Sequence, residues 1–269
     1  MNVESVYIPV GAERLHCLKW GRGKRLLLAF HGYGDDAGIF SPLQGLLDEE
    51  YTTVSVDLPH HGGSKWPDDV LLKTGDIAGM VDTLKSEYKV DKVSLIGYSL
   101  GGRVCLSIIE RLPASIDKVV LMATDGLSIN LYQYFFTQTF FGKKIFRRML
   151  EHPGFYLRMA GWLRKMNLVD ASRYKFAMHF LQTEGSRNFL LKVWPGMSDL
   201  TPSPSRLKYL IRKHHIPVTI FMGVHDKIIS LPQVKRFSAG LDSVQLIILE
   251  KGHRVFDHEN ARQVAERLV

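Results

Sequence analysis

Short apolar runs alternate with helix-spaced apolar positions along the first half of the chain. Arg25 to Phe30, Thr53 to Val56, Lys92 to Ile96 and Lys118 to Met122 are brief, mostly aliphatic, and bounded by Gly, Asp or Pro. Runs of that length and composition suit strands buried on both faces of a parallel sheet. Between the second and third, Ile77, Met80, Val81 and Leu84 recur at helical spacing within Asp76 to Tyr88. Leu100 to Arg111 reads as a second helix, stopping before Pro113. Two late strands are predicted at Val218 to Met222 and Val244 to Leu249. Strands alternating with helices imply an α/β fold, a mostly parallel central sheet with helices on both faces.

The alternation stops between Leu127 and His215. That stretch is aromatic-rich and helix-like, broken at Pro153-Gly154, Gly185 and Pro195-Gly196, and Thr201-Pro202-Ser203-Pro204 reads as a hinge back to the sheet. The expectation is a core of residues 1–126 and 216–269 interrupted by a helical insertion, 127–215. The net charge of +8 is concentrated there, with 15 Lys and Arg against 4 Asp and Glu inside the insertion and 20 against 23 outside it. Nucleic-acid binding is not expected, because no motif for it accompanies the charge. Lys143-Lys144, Arg147-Arg148 and Arg164-Lys165 read as solvated helix faces or as a basic amphipathic surface that meets anionic lipid or an anionic substrate.

Other compositional features narrow the picture less. An apolar fraction of 45% and a charged fraction of 23% are those of ordinary globular proteins. Two isolated cysteines, Cys17 and Cys105, suggest neither a disulfide framework nor a zinc site. No apolar run approaches the roughly 18 residues of a membrane span, and no signal-like segment opens the chain, so a cytoplasmic protein is expected.

The chemistry concentrates after the strands. Gly97-Tyr98-Ser99-Leu100-Gly101-Gly102 follows one strand and opens a helix, the context in which a Gly-x-Ser-x-Gly turn presents a serine hydroxyl. A serine is a weak nucleophile until a base takes its proton. His253, in the turn after the last strand, is the candidate base. Asp226, in Gly223-Val224-His225-Asp226, is the candidate for orienting it, with Asp125 after the strand Lys118 to Met122 as the competitor. An oxyanion needs preorganised N–H donors, for which the backbones of Leu100 and Tyr33 are the candidates. His31, Gly32, Tyr98 and Arg103 are expected to contact substrate. His31, His60 and His61, and also His214-His215, lack carboxylates or cysteines at ligand spacing, so no metal or other cofactor is expected.

Together Phe30-His31-Gly32-Tyr33-Gly34, Asp57-Leu58-Pro59-His60-His61-Gly62-Gly63-Ser64, Gly97 to Gly102, Gly223 to Asp226 and Gly252-His253 resemble the α/β-hydrolase superfamily. His60 is a departure, since relatives commonly carry Gly there. The resemblance implies the fold, a Ser99–His253–Asp226 triad and a cap placed over the site, and it leaves the small-molecule substrate open. Ester hydrolysis through an acyl-enzyme on Ser99 is the favoured reaction, with thioester or amide as variants. A serine at this position argues against epoxide hydrolases and haloalkane dehalogenases, which in this superfamily carry aspartate. The motifs are also similar to the lyase of menaquinone synthesis, in which Arg103 and cap arginines would bind carboxylates, and to carbon-carbon bond hydrolases. A non-catalytic binding module on the same fold is the remaining alternative.

Overall fold

The computed structural model of the protein describes residues 3–128, 131–166, 174, 178 and 181–269. Its strands are β1 (Glu4–Val10), β2 (Glu13–Trp20), β3 (Arg25–Phe30), β4 (Tyr51–Val56), β5 (Val93–Tyr98), β6 (Ile116–Met122), β7 (Val218–Gly223) and β8 (Val244–Leu249). They form one sheet in the order β1-β2-β4-β3-β5-β6-β7-β8. The pairs β1–β2 and β2–β4 are antiparallel, and every later pair is parallel. Burial follows position. All six residues of β5 are buried near the middle of the sheet, whereas edge strand β8 has none fully buried.

The β1–β2 hairpin was not among the strands read from the sequence. Its residues alternate rather than run apolar: Ile8 and Val10 turn inward while Tyr7 and Pro9 face out. That half-buried, period-two pattern carries Glu, Ser and His among its apolar residues and leaves no aliphatic block to notice.

Helix α1 (Thr74–Tyr88) and helix α2 (Leu100–Arg111) fall where helical spacing predicted them. Residues Leu100 to Ile109 of α2 are all buried, Arg103 and Ser107 included. Helices α3 (Leu131–Gln138), α4 (Phe140–Glu151), α5 (Pro153–Lys165) and α6 (Glu184–Gly196) follow β6. Helix α7 (Pro204–His214) precedes β7, and α8 (Leu231–Ser238) and α9 (Ala261–Ala265) come after it.

The chain divides into two compact units, one of residues 1–67, 72–129 and 199–269, the other of 68–71 and 130–198. The first holds the sheet with α1, α2, α7, α8 and α9. Helix α7, expected within the insertion, packs on α2 in this unit and buries Leu207, Leu210 and Ile211. The Pro-rich hinge explains the shift. Pro204 opens α7 at its first turn, where a missing N–H costs nothing, so the return to the first unit starts a helix earlier than the strands alone suggest.

The second unit is helical. Phe146 of α4 stacks on Trp194 of α6 with ring centroids 5.3 Å apart and planes 6° from parallel. Leu150, Leu190 and Val193 are buried in the same unit. Thr139 and Thr183 cap α4 and α6, accepting hydrogen bonds from Gly142 N–H at 3.0 Å and Ser186 N–H at 3.1 Å.

Candidate active site

Register brings the relevant strand ends to one edge of the sheet. Phe30 pairs with Gly97, Tyr98 with Met122, Met122 with Phe221, and Gly223 with Leu249. The loops after β3, β5, β6, β7 and β8 therefore leave from the carboxyl ends of neighbouring strands, where open α/β sheets place their chemistry.

Ser99 lies between β5 and α2 with φ 49° and ψ −111°, a strained conformation for a residue with a side chain. Its neighbours hold it there. The Ser99 N–H donates to Met122 O at 2.9 Å, and Ser99 O accepts from Gly102 N–H and Asp125 N–H at 3.0 and 3.1 Å. The flanking glycines are required by contact. A Cβ on Gly101 would lie 1.9 Å from Phe30 O, and one on Gly97 would lie 2.7 Å from Gly101 O and from Cys105 Sγ.

The Ser99 Oγ is 3.0 Å from His253 Nε2, and His253 Nδ1 is 2.8 Å from Asp226 Oδ2. A carboxylate only accepts hydrogen bonds, so His253 carries its proton on Nδ1 and turns the Nε2 lone pair toward the serine hydroxyl. Asp226 itself is immobilised. Its Oδ1 accepts from Ile228 N–H at 2.8 Å and Ile229 N–H at 2.9 Å, and its side chain is wholly buried. The two loops pack backbone to backbone: a Cβ on Gly223 would meet Gly252 O at 2.1 Å. Across the site Arg254 donates to Asp35 at 2.7 Å, tying the His253 loop to the loop after β3. The sequence reading missed this pair, whose members lie far apart in the chain.

The loop after β3 is a tight turn closed by Asp35 N–H on Gly32 O at 3.2 Å, with Tyr33 and Gly34 at its centre. Gly34 has φ +78°, the sign a type II turn demands at that position. Two buried histidines brace the turn. Leu58 N–H donates to His31 Nε2 at 3.0 Å, which forces the His31 proton onto Nδ1, and that nitrogen donates to Gly32 O at 2.7 Å. Likewise Gly34 N–H donates to His61 Nε2 at 3.1 Å while His61 Nδ1–H donates to Pro59 O at 2.8 Å. Burial, with the neighbouring imidazole second, lowers the His31 pKa to about 4, and burial also lowers that of His61. Both rings are thus held neutral.

The four residues expected to contact substrate have internal partners. His31 is fully buried in the brace. Gly32 lies against Tyr98, since a Cβ there would fall 2.8 Å from Tyr98 Cδ1. Tyr98 donates its hydroxyl to His253 O at 3.4 Å, and burial pushes its pKa up to about 12. Arg103 is buried and paired with Asp125. That ion pair engages the competitor acid, and Asp226 is the carboxylate brought to His253. Of the two expected oxyanion donors, Leu100 N–H begins α2, where no intrahelical acceptor exists for it, and Tyr33 sits at the second position of the turn after β3.

A second serine, histidine and aspartate stand in the same relation. Ser5 Oγ is 2.7 Å from His16 Nε2, and His16 Nδ1 is 2.7 Å from Asp57 Oδ2. Asp57 also accepts from Ala37 N–H and Gly63 N–H at 2.6 and 2.7 Å. Ser5, however, is the second residue of strand β1, with no strained turn or helix start behind it. Hydrogen-bond lengths alone do not separate the two chains; the backbone around the serine does. Among the described residues no cluster of His, Cys, Asp and Glu is placed to hold a metal ion, and no helix is long and apolar enough to cross a membrane.

Comparison with known proteins agrees with this architecture. Residues 25–259 match the family described as the alpha/beta hydrolase fold, and the chain belongs to that family. An uncharacterized hydrolase of Bacillus subtilis, YugF, is 24% identical over 260 residues, covering 91% of this chain and 89% of its own. Among solved structures, a thermophilic esterase from Thermogutta terrifontis superposes with a TM-score of 0.66 at 17% identity, covering 98% of this chain and 96% of that one. The 2-hydroxy-6-oxo-6-phenylhexa-2,4-dienoate hydrolase BphD from a Rhodococcus gives 0.64 at 21% identity, covering 99% of each chain.

Proposed function

We propose that the protein is a serine hydrolase that cleaves a carboxylic ester, or a related thioester or amide, of a small or medium-sized, partly apolar molecule. The observation that carries this reading is the continuous chain Ser99–His253–Asp226 anchored at a strained serine. In the first half-reaction His253 Nε2 takes the Ser99 proton as Oγ attacks the carbonyl carbon. The tetrahedral oxyanion is received by the N–H groups of Leu100 and Tyr33. His253 then returns the proton to the departing alcohol, leaving an acyl group on Ser99. Water, deprotonated by His253, attacks that acyl group, and the acid and free Ser99 result.

The test is labelling with a fluorophosphonate, followed by a p-nitrophenyl ester series of increasing chain length. Wild type is expected to label, and Ser99→Ala and His253→Ala are not. Labelling that survives Ser99→Ala, or that never occurs in folded wild type, would overturn the reading.

The lyase alternative needs Arg103 to bind a substrate carboxylate, and the buried pair with Asp125 weighs against it. A carbon-carbon bond hydrolase would use the same three residues, and likeness to BphD keeps that reaction as the second assay to run. Its signature is turnover of a vinylogous diketone by a protein inert to every ester.

A further inference from the structure

Helix α5 has an unusual distribution of side chains. None of its residues is fully buried, although Phe155, Tyr156, Leu157, Met159, Trp162 and Leu163 are all large enough to anchor a core. Phe155, Met159, Trp162 and the following Met166 are spaced by four, three and four residues, so they form one stripe along the helix. Their exposures are 63%, 43%, 59% and 51%. Helix α4 repeats the pattern on its outer side. Gly142, Phe146 and Leu150 are its buried face, while Phe140 and Phe141 are 75% and 72% exposed. These aromatic groups are not surplus core, because the inward side of α4 is already filled by the stacking of Phe146 on Trp194.

The charges beside them are of one sign. Lys143, Lys144, Arg147 and Arg148 lie on the exposed surface of α4, and Arg158 and Lys165 flank the stripe of α5. Between Tyr134 and Met166 the only acidic residue is Glu151. A self-association through this face would set cations against cations, the arrangement that interfaces avoid. An exposed aromatic stripe rimmed by lysine and arginine is instead complementary to a bilayer surface, with the rings at the boundary of the acyl chains and the cations among anionic headgroups.

We propose that the outer faces of α4 and α5 form a docking surface for anionic lipid bilayers, with Phe155 and Trp162 as apolar anchors and the α4 cations as the headgroup contact. The proposal does not depend on catalysis by Ser99.

The experiment is flotation of the full-length chain with vesicles of phosphatidylcholine alone or mixed with phosphatidylglycerol. Binding is expected on the mixed vesicles, with loss at high salt. Reversing Lys143, Lys144, Arg147 and Arg148 to Glu should weaken it by at least about tenfold. Phe155→Ser with Trp162→Ser should remove it, and Ser99→Ala should leave it intact. All these α4 and α5 side chains are exposed, and thermal melting checks that the variants fold. A milder readout uses the conservative Trp162→Phe: the blue shift of tryptophan emission on vesicle addition should disappear with that ring. Equal binding to neutral and mixed vesicles, indifference to the charge reversal, or concentration-dependent dimers without flotation would each overturn the proposal.

Discussion

At the scale of single residues, the carboxylate of Asp226 shows how much of a site is orientation. It is buried, receives two backbone N–H groups on one oxygen, and leaves the other for His253. Asp226→Asn keeps an acceptor for the backbone but presents an amide to His253, favouring the tautomer with its proton on Nε2, pointed at Ser99. We expect kcat on a p-nitrophenyl ester to fall by roughly 10⁴-fold with little change in melting temperature. A loss below about tenfold would mean that another group orients the imidazole. The residues that make this arrangement were legible unequally. Ser99 is flagged by glycines whose necessity is steric, and His253 and Asp226 by their positions after successive strands. The Arg254–Asp35 link and the histidine tautomers were not legible, because each depends on a partner that only the folded chain brings near. The Ser5–His16–Asp57 chain was silent in the sequence for the same reason.

At the scale of elements, the loops after β3 and β4 are held together by two neutral imidazoles, and this makes their union sensitive to acid. The His31 pKa is about 4 when folded and ordinarily 6.5, so between those values the unfolded chain binds more protons than the folded one. Stability is therefore fully present above pH 6.5 and is lost as the pH falls toward 4. The difference corresponds to about 3 kcal/mol at roughly 1.4 kcal/mol per unit. Guanidinium denaturation between pH 7.5 and 4 should show this decline, and His31→Gln should flatten it. An unchanged slope in the variant would assign the acid sensitivity to other groups. The aliphatic strands and the helices α1 and α2 could be read from periodicity, whereas the first hairpin could not, since its alternating pattern is diluted by polar residues such as Ser5 and His16, which hydrogen-bond across it.

Over the whole molecule, the two compact units have unequal means of resisting local opening. The sheet unit buries β5 completely and nearly all of α2. Among the described residues, the helical unit centres on a few buried side chains around Phe146 and Trp194, and no residue of α5 is fully buried. Amide hydrogen exchange should follow that order, with α5 exchanging first and β5 and α2 last. Comparable protection across both units would show that the smaller one gains its order from elsewhere. The pairing of Asp125 with Arg103 has a further consequence, for descent. Asp125 follows β6, beside the strand that carries Asp226, and would be a natural place for the orienting acid to migrate. Its carboxylate is already committed to a buried guanidinium, so an acid at that position would have to give up this ion pair before it could turn to an imidazole. The ion pair thereby competes for the Asp125 carboxylate with any such change.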